Sequence, residues 1–336
     1  MLTFRKSLPA DRDAVLALLG RVMGAASLET LGAPGFPEWK YWDAHPHWPG
    51  GRSYVLAEGE AIHAHVCGWP IRLAAGGAPE TATLAIDWAT ERGAPAGGLT
   101  LMKRLSQEAA RTIAIGGSEA AQRVLPAFGF KPVNQMLFLS RPLRPLRKRL
   151  ARDWRLPLRR LRDVAQSLVP RVSTRGWSAE AVAPDQVPDE LWPRARPDWA
   201  VSLRDARLYD YVLRCPIARM KLFLVRSGSW PIGYFCLAFV PGKARIVDYW
   251  LLPSVGVTLA PLFSLCCAEA LSEPDVQEIV AGVTEPEAVG ALRQSGFRRT
   301  GHAPIRVLIP SRERPAPPFY RVTMLDSDAA FIHGLS

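Results

Sequence analysis

The sequence lacks the features of several classes of protein. No stretch approaches the roughly 18 consecutive apolar residues that a membrane-spanning helix needs, and the longest apolar run, residues 255–268, ends at Glu269. The N-terminal stretch, MLTFRKSLPADRDAVLALLG, has no long apolar segment of the secretory type. We therefore expect neither a transmembrane protein nor an exported one.

Cysteine is scarce and irregularly spaced. The five cysteines form an odd set without any CxxC pair, so the sequence predicts neither a disulfide framework nor a zinc ribbon. The adjacent pair Cys266–Cys267 lies in an apolar helical pattern and is expected in the core. A reducing cytoplasm is the compartment that fits this usage.

Histidine is also rare, with six residues in the chain. His63 and His65 are two apart on a predicted strand and therefore share one face, as two metal ligands could. No third ligand follows at a usual spacing, so we predict no metal site and expect these imidazoles in the core or lining a site.

Hydrophobic residues make up 48% of the 336 residues and charged ones 22%, a composition typical of a globular protein with two domains. The formal net charge of +11 is concentrated. Residues 141–175 hold twelve basic side chains and two acidic ones. The regions on either side are therefore close to neutral.

This basic segment also carries an apolar stripe at helical spacing, formed by Leu146, Leu150, Trp154, Leu158, Leu161, Ala165 and Leu168. Pro145 and Pro157 suit first turns, which predicts two short helices in succession. The segment is either a linker whose stripe packs on both neighbours or a basic amphipathic helix that binds an anionic membrane surface through residues 144–169. Nucleic acid is disfavoured because interleaved aromatic residues are lacking.

The chain repeats itself across this segment. Four short motifs recur in the same order at offsets of 161 to 170 residues. Two of the pairs are Ile86-Asp87-Trp88 with Val247-Asp248-Tyr249 and Gly129-Phe130 with Gly296-Phe297; Gly59 and Gly228 mark matching hairpin turns. The order predicts two divergent copies of one α/β fold.

Each copy reads as a strand meander followed by helix, strand, helix and strand. In the first copy the predicted strands are 2–7, 53–56, 61–73, 81–88, 112–115 and 136–139, and the helices are 10–23, a segment after Gly98 to about 111, and 118–127. In the second copy the strands are 221–225, 232–240, 244–252, 277–280 and 305–309, and the helices are 259–271 and 286–294.

This order, with IDWATERGAPAGGLTLM at residues 86–102 and IAIGGSEAAQRVLPAFGF at 113–130, resembles the GNAT family of acyl-CoA N-acyltransferases. The resemblance implies a mixed α/β sheet fold in tandem: a GNAT-like domain at 1–142, a basic helical linker at 143–176 and a degenerate GNAT-like domain at 177–336. It implies acetyl-CoA or another acyl-CoA as cosubstrate of the first domain.

A strand that passes into a helix through glycines leaves backbone N–H groups free to hold a pyrophosphate. By resemblance, the residues that hold the coenzyme are Ile86, Trp88, Arg92, Ala96, Gly97, Gly98 and Leu99. The loop departs from the family pattern, because Gly93 or Pro95 replaces its usual Arg or Gln. Gly97 and Gly98 could instead simply ease the turn into the helix. The matching loop of the second copy has one glycine, Gly256, and we expect it to bind no coenzyme.

The resemblance also implies a carboxylate base, and Asp87 is the acidic residue in that place; an Asp there could instead cap a turn. The family's frequent proton donor, a tyrosine, is replaced by Leu125 and by Leu292. His45 and His47 lie in an aromatic loop with Trp39, Tyr41, Trp42 and Trp48, which either lines an acceptor pocket suited to a sugar or packs on the domain.

The leading hypothesis is an acyl-CoA-dependent N-acyltransferase that acylates an amine, such as an amino sugar or another small molecule. A non-catalytic scaffold that docks on an anionic membrane or an acidic partner is the alternative. An aminoacyl transferase of the Fem type, using charged tRNA, is the least favoured because the sequence lacks a helical coiled-coil arm.

Overall fold

The computed structural model describes residues 2–75, 78–91, 93, 95–146, 156–170, 172–197, 199–253, 258–309, 317 and 319–332. The strands within these ranges are β1 Thr3–Lys6, β2 Ser53–Glu58, β3 Ala61–Ala75, β4 Glu80–Thr90, β5 Arg111–Ile115, β6 Lys131–Pro142, β7 Trp177–Ala181, β8 Trp199–Ser202, β9 Arg219–Ser227, β10 Trp230–Val240, β11 Lys243–Leu251, β12 Glu278–Val283, β13 Arg298–Leu308 and β14 Phe319–Arg321. The helices are α1 Arg12–Met23, α2 Ala25–Leu31, α3 Pro95–Leu105, α4 Glu119–Val124, α5 Leu156–Ser167, α6 Ala206–Val212, α7 Ala260–Ser272 and α8 Pro286–Gln294.

Every strand and helix predicted for the two copies is present, and the mixed α/β fold with two copies is confirmed. The largest differences in helix bounds are in α3, which begins at Pro95 rather than after Gly98 because Pro95 suits a first turn, and which ends at Leu105 rather than near residue 111. The helix predicted for 286–294 matches α8 in both bounds.

The repeat is visible in the backbone. Gly59 and Gly228 both have φ of 58° in the first hairpin of their copy. Gly129 and Gly296, which end matching helical segments, have φ of 86° and 80°. These left-handed conformations favour glycine, so the same residue serves the same turn in both halves.

The two halves exchange the strands that follow their last helices, β6 after α4 and β13 after α8. β13, from the second half, lies between β5 and β6 of the first, and β6 pairs with β12 of the second. The sheet therefore runs β1-β2-β3-β4-β5-β13-β6-β12-β11-β10-β9-β7, with β8 on β3 and β14 on β8. The predicted boundary at residue 142 coincides with the end of β6, but the hydrogen bonds of β6 go to the other half.

The basic segment differs from the packed linker considered above. The second helix of the predicted pair is α5. Most of the first predicted helix, including Leu150 and Trp154, lies outside the described residues. The stripe leucines that are described, Leu146, Leu158, Leu161 and Leu168, are 66–78% exposed, so packing of the stripe on both neighbours is wrong for them.

The core lies on both faces of this sheet, in clusters that include residues of both halves. All five cysteines are free and buried, and Cys266 and Cys267 lie in the core of the second half, as predicted. No helix in the described ranges is long and apolar enough to cross a membrane.

Candidate functional site

The fourth and fifth strands of the first half separate partway along their length. β4 pairs with β5 in parallel from Ala82 to Leu84, against Arg111 to Ile113. β4 then continues to Thr90 and β5 to Ile115, but within the described residues the two strands form no further pairs with each other. The gap opens a cleft of about 460 Å³.

A bulge in β4 shapes one wall of this cleft. Asp87 has φ of +49° and is the only residue other than glycine with a positive φ in the described ranges. The register against β3 shifts between His65 and Cys67, and His65 Nδ1 donates to the Asp87 carbonyl at 2.9 Å. This imidazole fixes the strained backbone from the neighbouring strand.

Three of the predicted site residues, Ile86, Asp87 and Trp88, line the cleft. No sequence motif marks most of the other lining residues, which come from five separate parts of the chain: Val22, Met23, Ser27, Leu31, Ala85, Met102, Ala114, Ile115, Gly116, Gly117, Ser118, Ala121, Leu125, Asp328 and Ile332. The lining is mainly apolar, as in sites that enclose small molecules.

The predicted glycine loop is the first turn of α3. Since the helix begins at Pro95, Ala96 and Gly97 carry N–H groups that lack helical partners, whereas the Leu99 N–H lies within the helical ladder. Arg92 lies outside the described residues. The Gly98 carbonyl accepts from Trp88 Nε1 at 3.0 Å, and a Cβ at Gly98 would lie 2.2 Å from Thr90 Oγ1. Gly98 therefore permits close packing of α3 on β4.

A second cavity of about 360 Å³ adjoins the cleft. The two cavities share Ile86, Ile115, Gly116, Gly117 and Asp328 in their linings. The second one is also lined by Met136 and Phe138 of β6 and by residues 300–303 of the exchanged β13. The strand exchange thus builds one wall of this cavity from the other half.

A charged cluster lies at the junction of the two cavities. Lys40 Nζ is 2.6 Å from Asp87 Oδ2 and 2.9 Å from Asp328 Oδ2. Tyr41 OH donates to Asp87 Oδ2 at 2.7 Å. The Lys40 side chain is 1% exposed, Asp87 5% and Asp328 15%, so Asp328 is the more accessible of the two carboxylates.

One buried ammonium serves two carboxylates, which sets the proton affinities of the cluster. Burial raises the pKa of Asp328 above the ordinary aspartate value, the charge of Asp87 adds to this, and Lys40 opposes it. Burial disfavours the Lys40 ammonium, but attraction to Asp328 and Asp87 outweighs that cost and raises its pKa. Asp328 is therefore a base of raised strength beside a permanent cation.

The second half holds a matching cluster that is sealed. Asp248, which the repeat aligns with Asp87, accepts from Arg204 Nε at 2.9 Å and from the hydroxyls of Tyr209 and Tyr234. Arg204 also pairs with Asp326 at 2.9 Å. Asp248 is 0% exposed, so this cluster supports the fold rather than a site.

β11 and β12 separate as β4 and β5 do, beyond their paired residues Lys243–Ile246 and Glu278–Ala281. A cavity of about 320 Å³ lies there, but Arg321 and Glu285 form an ion pair of 2.7 Å in its wall. Of the predicted coenzyme-free loop, residues 251–263, the part with Gly256, residues 254–257, lies outside the described residues.

The aromatic loop is core rather than pocket. Trp39, Tyr41 and Trp48 are buried, and Trp39 stacks on Tyr211 of the second half at 5.0 Å between ring centroids. The rings of His45 and Tyr211 are 4.7 Å apart. These residues therefore pack in the core rather than line a pocket.

The sequence pairs His63 with His65 as possible metal ligands. His65 contacts the Asp87 carbonyl, and His63 Nδ1 lies 2.9 Å from Glu91 Oε2.

Leu125, where the resemblance places a proton-donating tyrosine, is buried and lines the cleft. Its counterpart Leu292 is buried in the core of the second half. Neither position can supply a proton.

Known structures share this fold over nearly the whole chain. A tandem GNAT protein from the clavulanic acid biosynthesis pathway matches 92% of this chain and 98% of its own, at 14% identity and a TM-score of 0.54. The Saccharomyces cerevisiae N-myristoyltransferase, solved with bound myristoyl-CoA, matches 94% and 84%, at 13% identity and a TM-score of 0.62. A GCN5-related N-acetyltransferase from Anabaena variabilis matches 92% and 73%, at 11% identity and a TM-score of 0.56.

No family model and no curated protein sequence matches the chain. At the identities above, the structural likeness establishes the fold, which is a tandem of two GNAT-like halves, as the repeated motifs predicted.

Proposed function

We propose that the first half is an acyl-CoA-dependent N-acyltransferase and that the second half is a degenerate copy that binds no coenzyme. The observation that carries the proposal is the pair of adjoining cavities at the separated strands, with the Asp328 carboxylate in the lining of both. A reaction between two bound molecules needs two compartments that meet at one point, with a proton acceptor there.

The larger cleft is proposed to hold the acyl-CoA. Beyond Leu84 the side of β4 that faces β5 is no longer paired with that strand, and main-chain groups on this side can hold the pantetheine arm and the acyl carbonyl. The N–H groups of Ala96 and Gly97 in the first turn, with the positive end of the α3 dipole, can hold the pyrophosphate. The acyl group is acetyl or a longer chain.

The smaller cavity is proposed to hold the amine acceptor. Its lining is mostly apolar, with Thr300, His302, Ser327 and Asp328 as the side chains that can form hydrogen bonds. This lining favours an amine on an apolar body over an amino sugar, since the aromatic loop that suggested a sugar is part of the core.

The reaction needs a neutral amine. In the proposed mechanism the acceptor binds as the neutral amine, its nitrogen lone pair forms a bond to the thioester carbon, and Asp328 takes the proton that this nitrogen loses on becoming an amide. The carbon–sulfur bond breaks, and the coenzyme leaves as a thiolate. Because Asp328 also lines the cleft, its carboxyl can return the proton to that sulfur, so no tyrosine is needed at Leu125. Lys40 and Asp87 position this carboxylate and set its charge.

A non-catalytic scaffold remains a second candidate, and the leucine at position 125 is the observation that favours it. The two candidates differ in whether a thiol is released. Acetyl-CoA and a panel of primary amines, apolar and sugar-based, should be incubated with the protein while free coenzyme thiol is measured; the five buried cysteines should contribute little background.

Amine-dependent thiol release that Asp328→Asn slows about 100-fold, while the variant still binds acetyl-CoA, would support the enzyme. Binding without release for every amine would favour the scaffold. The cytoplasm remains our prediction for where the protein acts, since its thiols are free.

A further inference from the structure

Helix α5 packs with its polar side against the protein. Asp163 and Gln166 are 3% and 4% exposed, and Gln166 Nε2 donates to the carbonyls of Ser140 and Gly296 at 2.8 and 3.1 Å. A surface helix of a globular protein normally buries its apolar face. The orientation of α5 is therefore the reverse of the usual one.

Specific contacts fix this orientation. Arg141, which is itself buried, donates to the carbonyls of Val169 at 2.6 Å and Ser167 at 3.3 Å, at the end of α5. A Cβ at Gly296 would lie 2.8 Å from Arg141 Nη1, so the neighbouring glycine leaves room for the guanidinium. The C-terminal end of α5 is therefore held by hydrogen bonds from a buried guanidinium.

The apolar side of α5 faces solvent as a result. Leu158 and Leu161 of α5 and Leu168, the residue after its last one, are 66%, 69% and 74% exposed. The Leu168 N–H still donates to the Val164 carbonyl at 3.2 Å, so the spacing of three and seven residues places the three leucines on one face. Single exposed leucines are common on protein surfaces, but an aligned row of them marks an interaction surface.

The charge of the segment identifies the partner. Residues 141–175 carry a net charge of +10, and Arg160 and Arg162 on α5 are exposed. A second copy of this chain would carry the same positive charge and would be repelled. A nucleic-acid backbone is charged and has no apolar surface on which the leucine side chains could pack. Leucines flanked by arginines fit the boundary between acyl chains and anionic headgroups.

We propose that the leucine face of α5 docks the protein on an anionic lipid surface, with Leu158, Leu161 and Leu168 inserted and the arginines at the headgroups. The inference is independent of acyl transfer, because α5 lines neither the cleft nor the acceptor cavity.

The test is co-sedimentation of the full chain with vesicles of phosphatidylcholine alone or mixed with phosphatidylglycerol. The wild type should bind the mixed vesicles and lose binding as salt is raised. The combined variant Leu158→Ser, Leu161→Ser, Leu168→Ser should lower the partition coefficient at least about tenfold. The matched control is Trp230→Ser, which removes a side chain that is 77% exposed but lies on the β9–β10 hairpin.

The replaced side chains are exposed, so unchanged thermal unfolding should show that the triple variant folds. Three results would overturn the proposal: no binding to the mixed vesicles, binding that the triple variant keeps in full, or a wild-type dimer in sedimentation velocity that the triple variant converts to monomer. The last result would assign the leucine face to self-association.

Discussion

Replacing Lys40 with methionine tests the charged cluster at the junction of the cavities. The substitution keeps most of the side-chain volume and removes the ammonium from between Asp87 and Asp328, whose oxygens lie 2.6 and 2.9 Å from it. Breaking a buried ion pair by removal of one partner costs about 3–5 kcal/mol, because the remaining charge is uncompensated. Here two carboxylates would remain facing each other.

The loss of stability caused by Lys40→Met should increase as the pH rises. Without the cation, one carboxyl must hold its proton in the folded state, so its folded pKa rises further above its unfolded value. A group whose pKa is raised on folding contributes stability at low pH and loses it as pH rises through the folded pKa. The slope is about 1.4 kcal/mol per pH unit for one proton.

Urea unfolding of the wild type and of Lys40→Met at pH 5 and pH 7.5 measures both effects. The variant should be less stable at both values and relatively worse at the higher one. Adding Asp328→Asn should restore part of the stability, since one of the two carboxylates is gone. A loss below about 1 kcal/mol, the size expected for an exposed pair, or a loss that does not change with pH would refute the reasoning.

Three further predictions follow from other contacts. Asp328→Asn should lower the rate of acyl transfer by about 100-fold and remove the acidic limb of the pH–rate profile. In the wild type the midpoint of this limb should lie above the ordinary aspartate value of 3.8. Asp328→Glu should keep part of the rate and should keep the acidic limb. Arg204→Met should cost about 3–5 kcal/mol in urea unfolding because it leaves buried carboxylates unpaired, whereas Arg219→Met, at an exposed pair, should cost less than about 1 kcal/mol. Gly98→Ala should destabilise the fold by about 1–3 kcal/mol through overpacking against β4 and weaken binding of acetyl-CoA, while Gly93→Ala, where nothing lies within 4 Å of the added carbon, should leave thermal unfolding unchanged.

The order of strands and helices could be predicted because alternation, helical spacing and glycine turns are local signals. The hairpin glycines Gly59 and Gly228 and the helix α8 are examples. β13 is longer than its predicted part, 305–309, because residues 298–304 are held mainly by pairing with β6, and their polar sequence gives no periodic signal. Strand exchange leaves no local trace at all.

The candidate site was predicted only where it lies in a motif. Ile86, Asp87 and Trp88 were found, but Asp328 lies in a short turn near the end of the described chain, where no spacing marks it. No motif or spacing in the sequence marks Lys40, which stands between the aromatic residues Trp39 and Tyr41. The period of the sequence predicts the apolar stripe of α5, but a period does not determine which side of a helix faces the protein.

The central claim is that the gap between β4 and β5 holds an acyl-CoA, and calorimetric titration with acetyl-CoA tests it most directly. Ala121 of α4 lines the cleft, and Ala120, beside it in sequence, is exposed. The wild type and Ala120→Trp should bind one acetyl-CoA per chain, and Ala121→Trp, which fills the cleft, should bind at least about tenfold more weakly. Equal binding by all three proteins, or no binding at millimolar ligand, would contradict the account.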